Sequence, residues 1–223
     1  MSRNYAIVDS VNKTVQFTID DSCSSISYSA KNSGFPVLLQ KSHISVDLVR
    51  KGKTDVNLYN DSAENISKVV KAIFDKQISN LIPLSFRNQF GQDLNLSDSV
   101  SVKITIKFYK DADEDETVDS FEYEMNKLGK SKGSSVNKLP FTFKKVEVDT
   151  VKEIDTEYYK DVVIFDKQNL VSLASDTPKD GDIYLTKEFL ESEFPEFVHL
   201  ETGLQQTVEV KSNGVTNVYL VQY

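Results

Sequence analysis

Alternation of apolar and polar residues is the main pattern along this chain. In Val100–Phe108 the residues Val100, Val102, Ile104, Ile106 and Phe108 fall on one side of an extended segment, with Ser101, Lys103, Thr105 and Lys107 on the other. Successive strand side chains point to opposite faces, so this is a strand with one face in a core and one in water. Alternating or β-branched runs of strand length recur at Thr14–Ile19, Ser25–Ser29, Ile44–Val49 and Val56–Tyr59, and the Val100 run extends to Ser99–Tyr109. The second half continues with Ser120–Met125, Phe141–Val151, Val162–Phe165, Ile183–Leu185, Thr207–Val210 and Val215–Val221. Many short strands bounded by Asp, Asn, Ser and Gly predict an all-β sandwich or barrel.

Two segments break the two-residue period. From Asp61 to Ser79, Ile66, Val69, Val70, Ile73, Phe74 and Ile78 recur at helical spacing, with Asp61 as the expected N-cap and Glu64 completing a capping box. A shorter helix is expected over 186–194, starting at Thr186, running through Phe189, Leu190 and Phe194, and stopped by Pro195. Ile44-Ser-Val-Asp-Leu-Val-Arg50 is echoed by Val146-Glu-Val-Asp-Thr-Val-Lys152. The pattern therefore predicts two variations on one plan, a first unit over 1–115 and a second over 116–223. The boundary is placed at the charged loop Asp111–Glu116, and Gly129–Ser135 reads as a loop within the second unit.

Composition narrows the chemistry. With 39% hydrophobic residues among 223 the chain can bury a core. No apolar run is long enough for a membrane helix, and the start lacks the apolar stretch of a signal peptide, so a soluble chain made in a reducing cytoplasm is expected. Cys23 is the single cysteine and His43 and His199 the only histidines, which leaves no disulfide framework and no zinc spacing; Cys23 reads as a small buried residue. No phosphate-cradling Gly-rich loop and no Gly-x-Ser-x-Gly elbow occurs. The net charge of −8 argues against broad binding to nucleic-acid phosphates, and no specific nucleic acid is expected as a partner. It divides into +4 up to Lys110 and −12 from Asp111 onward, which suits either one acidic loop or attraction between unlike halves of neighbouring copies.

Asp111, Asp113, Asp115, Asp119 and Glu122 stand at positions 1, 3, 5, 9 and 12 of a calcium-loop template. Glu116 occupies the place of the turn glycine and the flanks read as strands, so the helix-loop-helix form fails. What remains is a solvated acidic turn, or a loose divalent-cation site favouring calcium and completed by a neighbouring subunit. Tyr158, Tyr159, Tyr219 and Tyr223 suit either an interface or half-buried strand positions.

The run His43–Tyr59, the Asp61–Ser79 helix and the strand Ser99–Lys110 are followed by Phe141–Phe165, Thr186–Phe194 and Thr207–Tyr223. Together they resemble the double jelly-roll major capsid proteins of tailless icosahedral bacteriophages with an internal membrane, of the compact corticovirus-like and finnlakevirus-like kind. The resemblance implies two tandem jelly rolls, no catalytic residues and location in the virion after synthesis in the host cytoplasm. It also implies homotrimers of pseudo-hexagonal outline contacting neighbouring trimers, a penton protein and, through Ser2, Arg3 and Lys13, the membrane. Three alternatives remain: a minor virion protein such as a penton or spike, a carbohydrate-binding or adhesion sandwich, which the absence of Trp disfavours, and a glycosidase on a β sandwich.

Overall fold

The computed structural model describes residues 3–9, 11–28, 42–75, 81–85, 93–96, 99–108, 120–127, 139–175, 183–194, 196–202 and 207–223. They form two compact units, residues 1–142 with Tyr223, and residues 143–222. The boundary is not at 115/116. Ser120–Asn126 pairs with Arg3–Asp9 and with Ser25–Tyr28, so the strand expected to open the second unit closes the first. The expected linker Asp111–Glu116 and loop Gly129–Ser135 lie outside the described residues.

The first unit contains β1 (Arg3–Asp9), β2 (Thr14–Ile19), β3 (Ser25–Tyr28), β4 (His43–Arg50), β5 (Val56–Ser62), β6 (Leu81–Pro83), β7 (Val100–Lys107) and β8 (Ser120–Asn126). Antiparallel pairs join the first strand to the eighth, the second to the seventh, the third to the sixth and the fourth to the fifth. This is one long hairpin rolled up on itself, with strand orders β1-β8-β3-β6 and β2-β7-β4-β5. A short β1–β2 ladder, Val8 opposite Val15 and Asp9 opposite Thr14, links the two rows. The arrangement is a jelly roll.

The second unit contains β9 (Thr142–Val148), β10 (Val151–Asp155), β11 (Asp161–Ile164), β12 (Leu170–Ser175), β13 (Ile183–Thr186), β14 (Val198–Glu201), β15 (Thr207–Ser212) and β16 (Thr216–Gln222). Its sheets run β9-β16-β11-β14 and β10-β15-β12-β13. Adding eight to every strand number of the first unit reproduces the second. The helices obey the same rule: α1 (Ala63–Phe74) lies between β5 and β6, and α2 (Lys187–Glu193) between β13 and β14.

Local chemistry explains the elements. In β7, Val102, Ile104 and Ile106 are buried between half-exposed Ser101, Lys103 and Thr105, as the alternation predicts. The expected strand Phe141–Val151 is two strands, since Asp149 and Thr150 turn the chain between β9 and β10. α1 is capped by Ser62, whose Oγ accepts from the Asn65 N–H at 3.1 Å. Asp61 is not the cap, because the extended backbone of β5 continues through Ser62, which still pairs with His43, and the first helical residue is Ala63. Asp61 Oδ1 instead accepts from Ser62 N and Asn65 Nδ2. The helix closes at Asp75 in the left-handed region (φ 49°), so Ile78 of the expected stripe lies beyond it and outside the described residues. α1 buries Ile66, Val69, Val70, Ala72 and Phe74. α2 starts where expected, with Thr186 Oγ1 accepting from Phe189 N at 3.4 Å. It sends Leu190 into a core of Val148, Ile154, Val162, Ile164, Leu173, Val210, Val218 and Leu220, while Phe189 stays exposed.

Candidate functional site

The acidic residues singled out by spacing are only partly placed. Asp111, Asp113, Asp115 and Asp119 lie outside the described residues. Glu122 sits on β8 opposite Tyr5 of β1, and its Oε1 is 3.1 Å from Arg3 Nε. Glu124 reaches the same nitrogen at 3.7 Å. One guanidinium thus serves two carboxylates, which relieves the repulsion between like charges two residues apart on one strand face. Arg3, Ser27, Tyr28, Glu122, Tyr123 and Glu124 line a shallow depression of about 190 Å³. That is below the roughly 300 Å³ at which small-molecule pockets begin.

Beneath this face the interior is aromatic. Phe17 stacks on Tyr123 with ring centroids 4.2 Å apart and lies 5.9 Å from Phe121, which also meets Tyr28. Burial pushes the Tyr28 phenol up to about 12 and the Tyr59 phenol well above its usual value. Tyr59 donates to the Pro83 carbonyl at 2.6 Å, so its buried hydroxyl is satisfied. Cys23 is fully buried; burial, and secondly Asp93, raise its thiol to about 12, which makes it inert at neutral pH.

In the second unit the described residues include a titratable pair with a buried member. His199 Nε2 and Asp161 Oδ1 are 2.7 Å apart on the β14–β11 ladder. Asp161 is 1% exposed, and its Oδ2 has no hydrogen-bond partner in the protein. Among the described residues no group of three His, Cys, Asp or Glu side chains is close enough to hold a metal ion. Of the tyrosines proposed for an interface, Tyr158 is exposed, Tyr159 and Tyr223 are half-buried, and Tyr219 is buried against Phe143 and Phe165.

The observed boundary also changes the charge reading. Residues 1–142 carry 18 basic and 18 acidic side chains, and residues 143–222 carry 8 and 16. The units are neutral and −8, so opposite signs do not distinguish them.

What the spacing patterns missed is an apolar surface on β1. Ala6 and Val8 turn inward while Tyr5 and Ile7 turn outward, 64% and 87% exposed, and Val11 in the next turn is 86% exposed. The signal was present in Tyr-Ala-Ile-Val, an apolar run on both parities. Such a run marks a strand covered on both faces.

No family model matches the chain, and no curated protein is similar to it. Among solved structures, the crystal structure of the STIV MCP is similar over 99% of this chain and 95% of that one, at 11% identity and a TM-score of 0.41. The atomic structure of Sulfolobus Turreted Icosahedral Virus matches 99% of this chain and 85% of its own at 10% identity and a TM-score of 0.36. At TM-scores this low the fold rests on the strand order itself: the chain is an all-β protein of two tandem jelly rolls with two short helices.

Proposed function

We propose that this chain is a major capsid protein, a non-enzymatic building block whose homotrimers present six jelly rolls in a pseudo-hexagonal ring and tile an icosahedral shell over an internal membrane. The observation that carries the reading is the repetition: both units share one strand order and place a helix in the same connection. Three copies of a two-unit chain supply six similar blocks, and head-to-tail contacts between similar blocks close a ring when the rotation allows. The working surfaces are then sheet faces rather than a cleft, which agrees with the small depression at Arg3. The partners are other copies of the chain, a penton protein at the vertices and the membrane beneath, and the place of action is the virion. Calcium bound by Asp111, Asp113, Asp115, Asp119 and Glu122 belongs to this proposal; at Glu122 it competes with Arg3.

Light scattering of the purified protein tests the reading, with and without calcium and chelator. Three chains of 25.2 kDa give about 75 kDa, and electron micrographs should show a ring of six lobes. A monomer at every concentration, in both buffers, overturns it.

A further inference from the structure

We infer that Asn213 is a site of spontaneous covalent modification, where the side-chain amide is lost to water after ring closure onto the backbone nitrogen of Gly214.

The sequence marks the position first. Asparagine amides are among the thermolabile groups of proteins, and Asn213 is the one asparagine of this chain that is followed by glycine. Ring closure brings the backbone nitrogen of the next residue onto the asparagine Cγ. A Cβ on that next residue crowds the approach, and glycine has none. Asn217, in the same stretch of chain, is followed by Val218, whose branched Cβ hinders the same attack.

The fold leaves the reacting pair accessible. β15 and β16 belong to different sheets, so residues 213–215 form a corner between sheets rather than the turn of a paired hairpin. The corner is pinned around its edges. Asn213 N donates to the Asn169 carbonyl at 2.8 Å, and Asn169 Nδ2 donates to the Val215 carbonyl at 2.9 Å. The buried Ser212 Oγ lies 2.7 Å from the Gly214 carbonyl and 2.7 Å from the buried Thr216 Oγ1. None of these bonds uses the two reacting groups: among the described residues the Gly214 N–H has no acceptor and the Asn213 side-chain amide has no partner. Asn213 is exposed and Gly214 half-buried, so water reaches both. A bonded N–H would first have to give up its acceptor, and here there is none to give up.

The step balances without a cofactor. Hydroxide takes the Gly214 N–H proton and the nitrogen attacks Asn213 Cγ. The new N–C bond closes a succinimide, the bond from Cγ to Nδ2 breaks, and ammonia leaves with a proton returned from water. One water then opens the ring. Opening at Cγ gives an aspartate at position 213; opening at the main-chain carbonyl gives an isoaspartate and lengthens the main chain between the two contacts made by Asn169. The sum is one water consumed and one ammonia released, with no change of oxidation state. Each event adds a negative charge to a unit that already carries −8.

The test holds the full chain in heavy-oxygen water, at neutral pH and in mild alkali, while circular dichroism follows the fold. The protein is then digested in ordinary water and mapped by mass spectrometry. The expected result is a heavy oxygen at residue 213, faster in alkali, with Asn217 keeping its amide and a band one charge more acidic growing in at the same rate on isoelectric focusing. Gly214→Ala, whose added Cβ meets the Asn169 side chain at 3.3 Å, should convert several-fold more slowly. If that variant does not fold, Asn213→Gln, which would have to close a larger ring, carries the comparison and should lose the acidic band. A folded wild type that stays unlabelled at 213 while its urea-unfolded chain converts overturns the inference, since the corner then shields the pair. Equal labelling of Asn213 and Asn217, or conversion only in step with loss of the fold, overturns it as well.

Discussion

Replacing His199 by alanine takes a hydrogen-bond donor from the buried carboxylate of Asp161, and the cost follows from that geometry. Asp161 is 1% exposed, its Oδ1 meets His199 Nε2 at 2.7 Å, and Oδ2 has no partner in the protein. Leaving a buried acceptor without its donor typically costs about 1–3 kcal/mol, because its desolvation is no longer offset by a hydrogen bond. The acceptor here is a carboxylate and the His199 side chain is 24% exposed, so water partly fills the truncated site and the cost is about 3 kcal/mol. For a unit the size of residues 143–222, each kcal/mol lowers Tm by about 4–8 °C, giving a fall of about 12–24 °C in the transition of that unit. Asp161→Asn is the matched control. Its carbonyl oxygen still accepts from His199, and only a neutral amide N–H is left unsatisfied, at about 1–3 kcal/mol. Combined, the two changes should cost less than their sum, since the second removes what the first left unpaired. Urea titration of the four proteins supplies the free energies. Should His199→Ala cost under about 1 kcal/mol, or should the two losses simply add, the carboxylate does not depend on the imidazole and the argument from burial fails.

Ser62→Ala removes the cap of α1 and is expected to cost about 1 kcal/mol, measured by the same titration, whereas Asp61→Ala should act through the β4–β5 connection and leave the cap bond in place. In alkali, Tyr28 and Cys23 resist ionisation until about pH 12 in the fold but ionise near 10 and 9 when unfolded, so stability is intact below pH 9 and is lost as pH rises toward 12. Phenolate absorbance should show a late class of tyrosines released together with unfolding; one smooth titration near pH 10 with the fold intact contradicts this. Arg3→Ala should change stability by less than about 1 kcal/mol, as half-exposed ion pairs do. If Glu122 contributes to a calcium site, the same change should tighten calcium binding by calorimetry, and unchanged affinity removes Glu122 from the proposed ligands.

Strands were legible where a single face is buried. Thr14–Ile19 was read with its observed bounds and Val100–Lys107 within a residue or two, because β2 and β7 alternate cleanly between core and water. β1, β6, β12 and β14 were not read. β1 is apolar on both parities, and β6 has three residues, Leu-Ile-Pro, too few for any period. Leu170 and Ser172 of β12 straddle a register shift against β15 that breaks the alternation. The unit boundary was misplaced for a related reason: a charged stretch looks like a linker, yet β8 beyond it finds its partners more than a hundred residues earlier in the chain. The exposed apolar pair on β1 was written in Tyr5 and Ile7, but which of its two parities faces water depends on which one packs in the core.

Side-chain order by itself determined the all-β class, both helices and the tandem plan, because a two-residue or 3.6-residue period is a property of consecutive residues. Tertiary structure decided what depends on distant partners: the nesting of first strand with eighth, the closure of the first unit by Ser120–Asn126, the transfer of the cap from Asp61 to Ser62, and the pairing of Asp161 with His199. A ladder fixes which residues meet only once both strands are in place, and no local pattern carries that information.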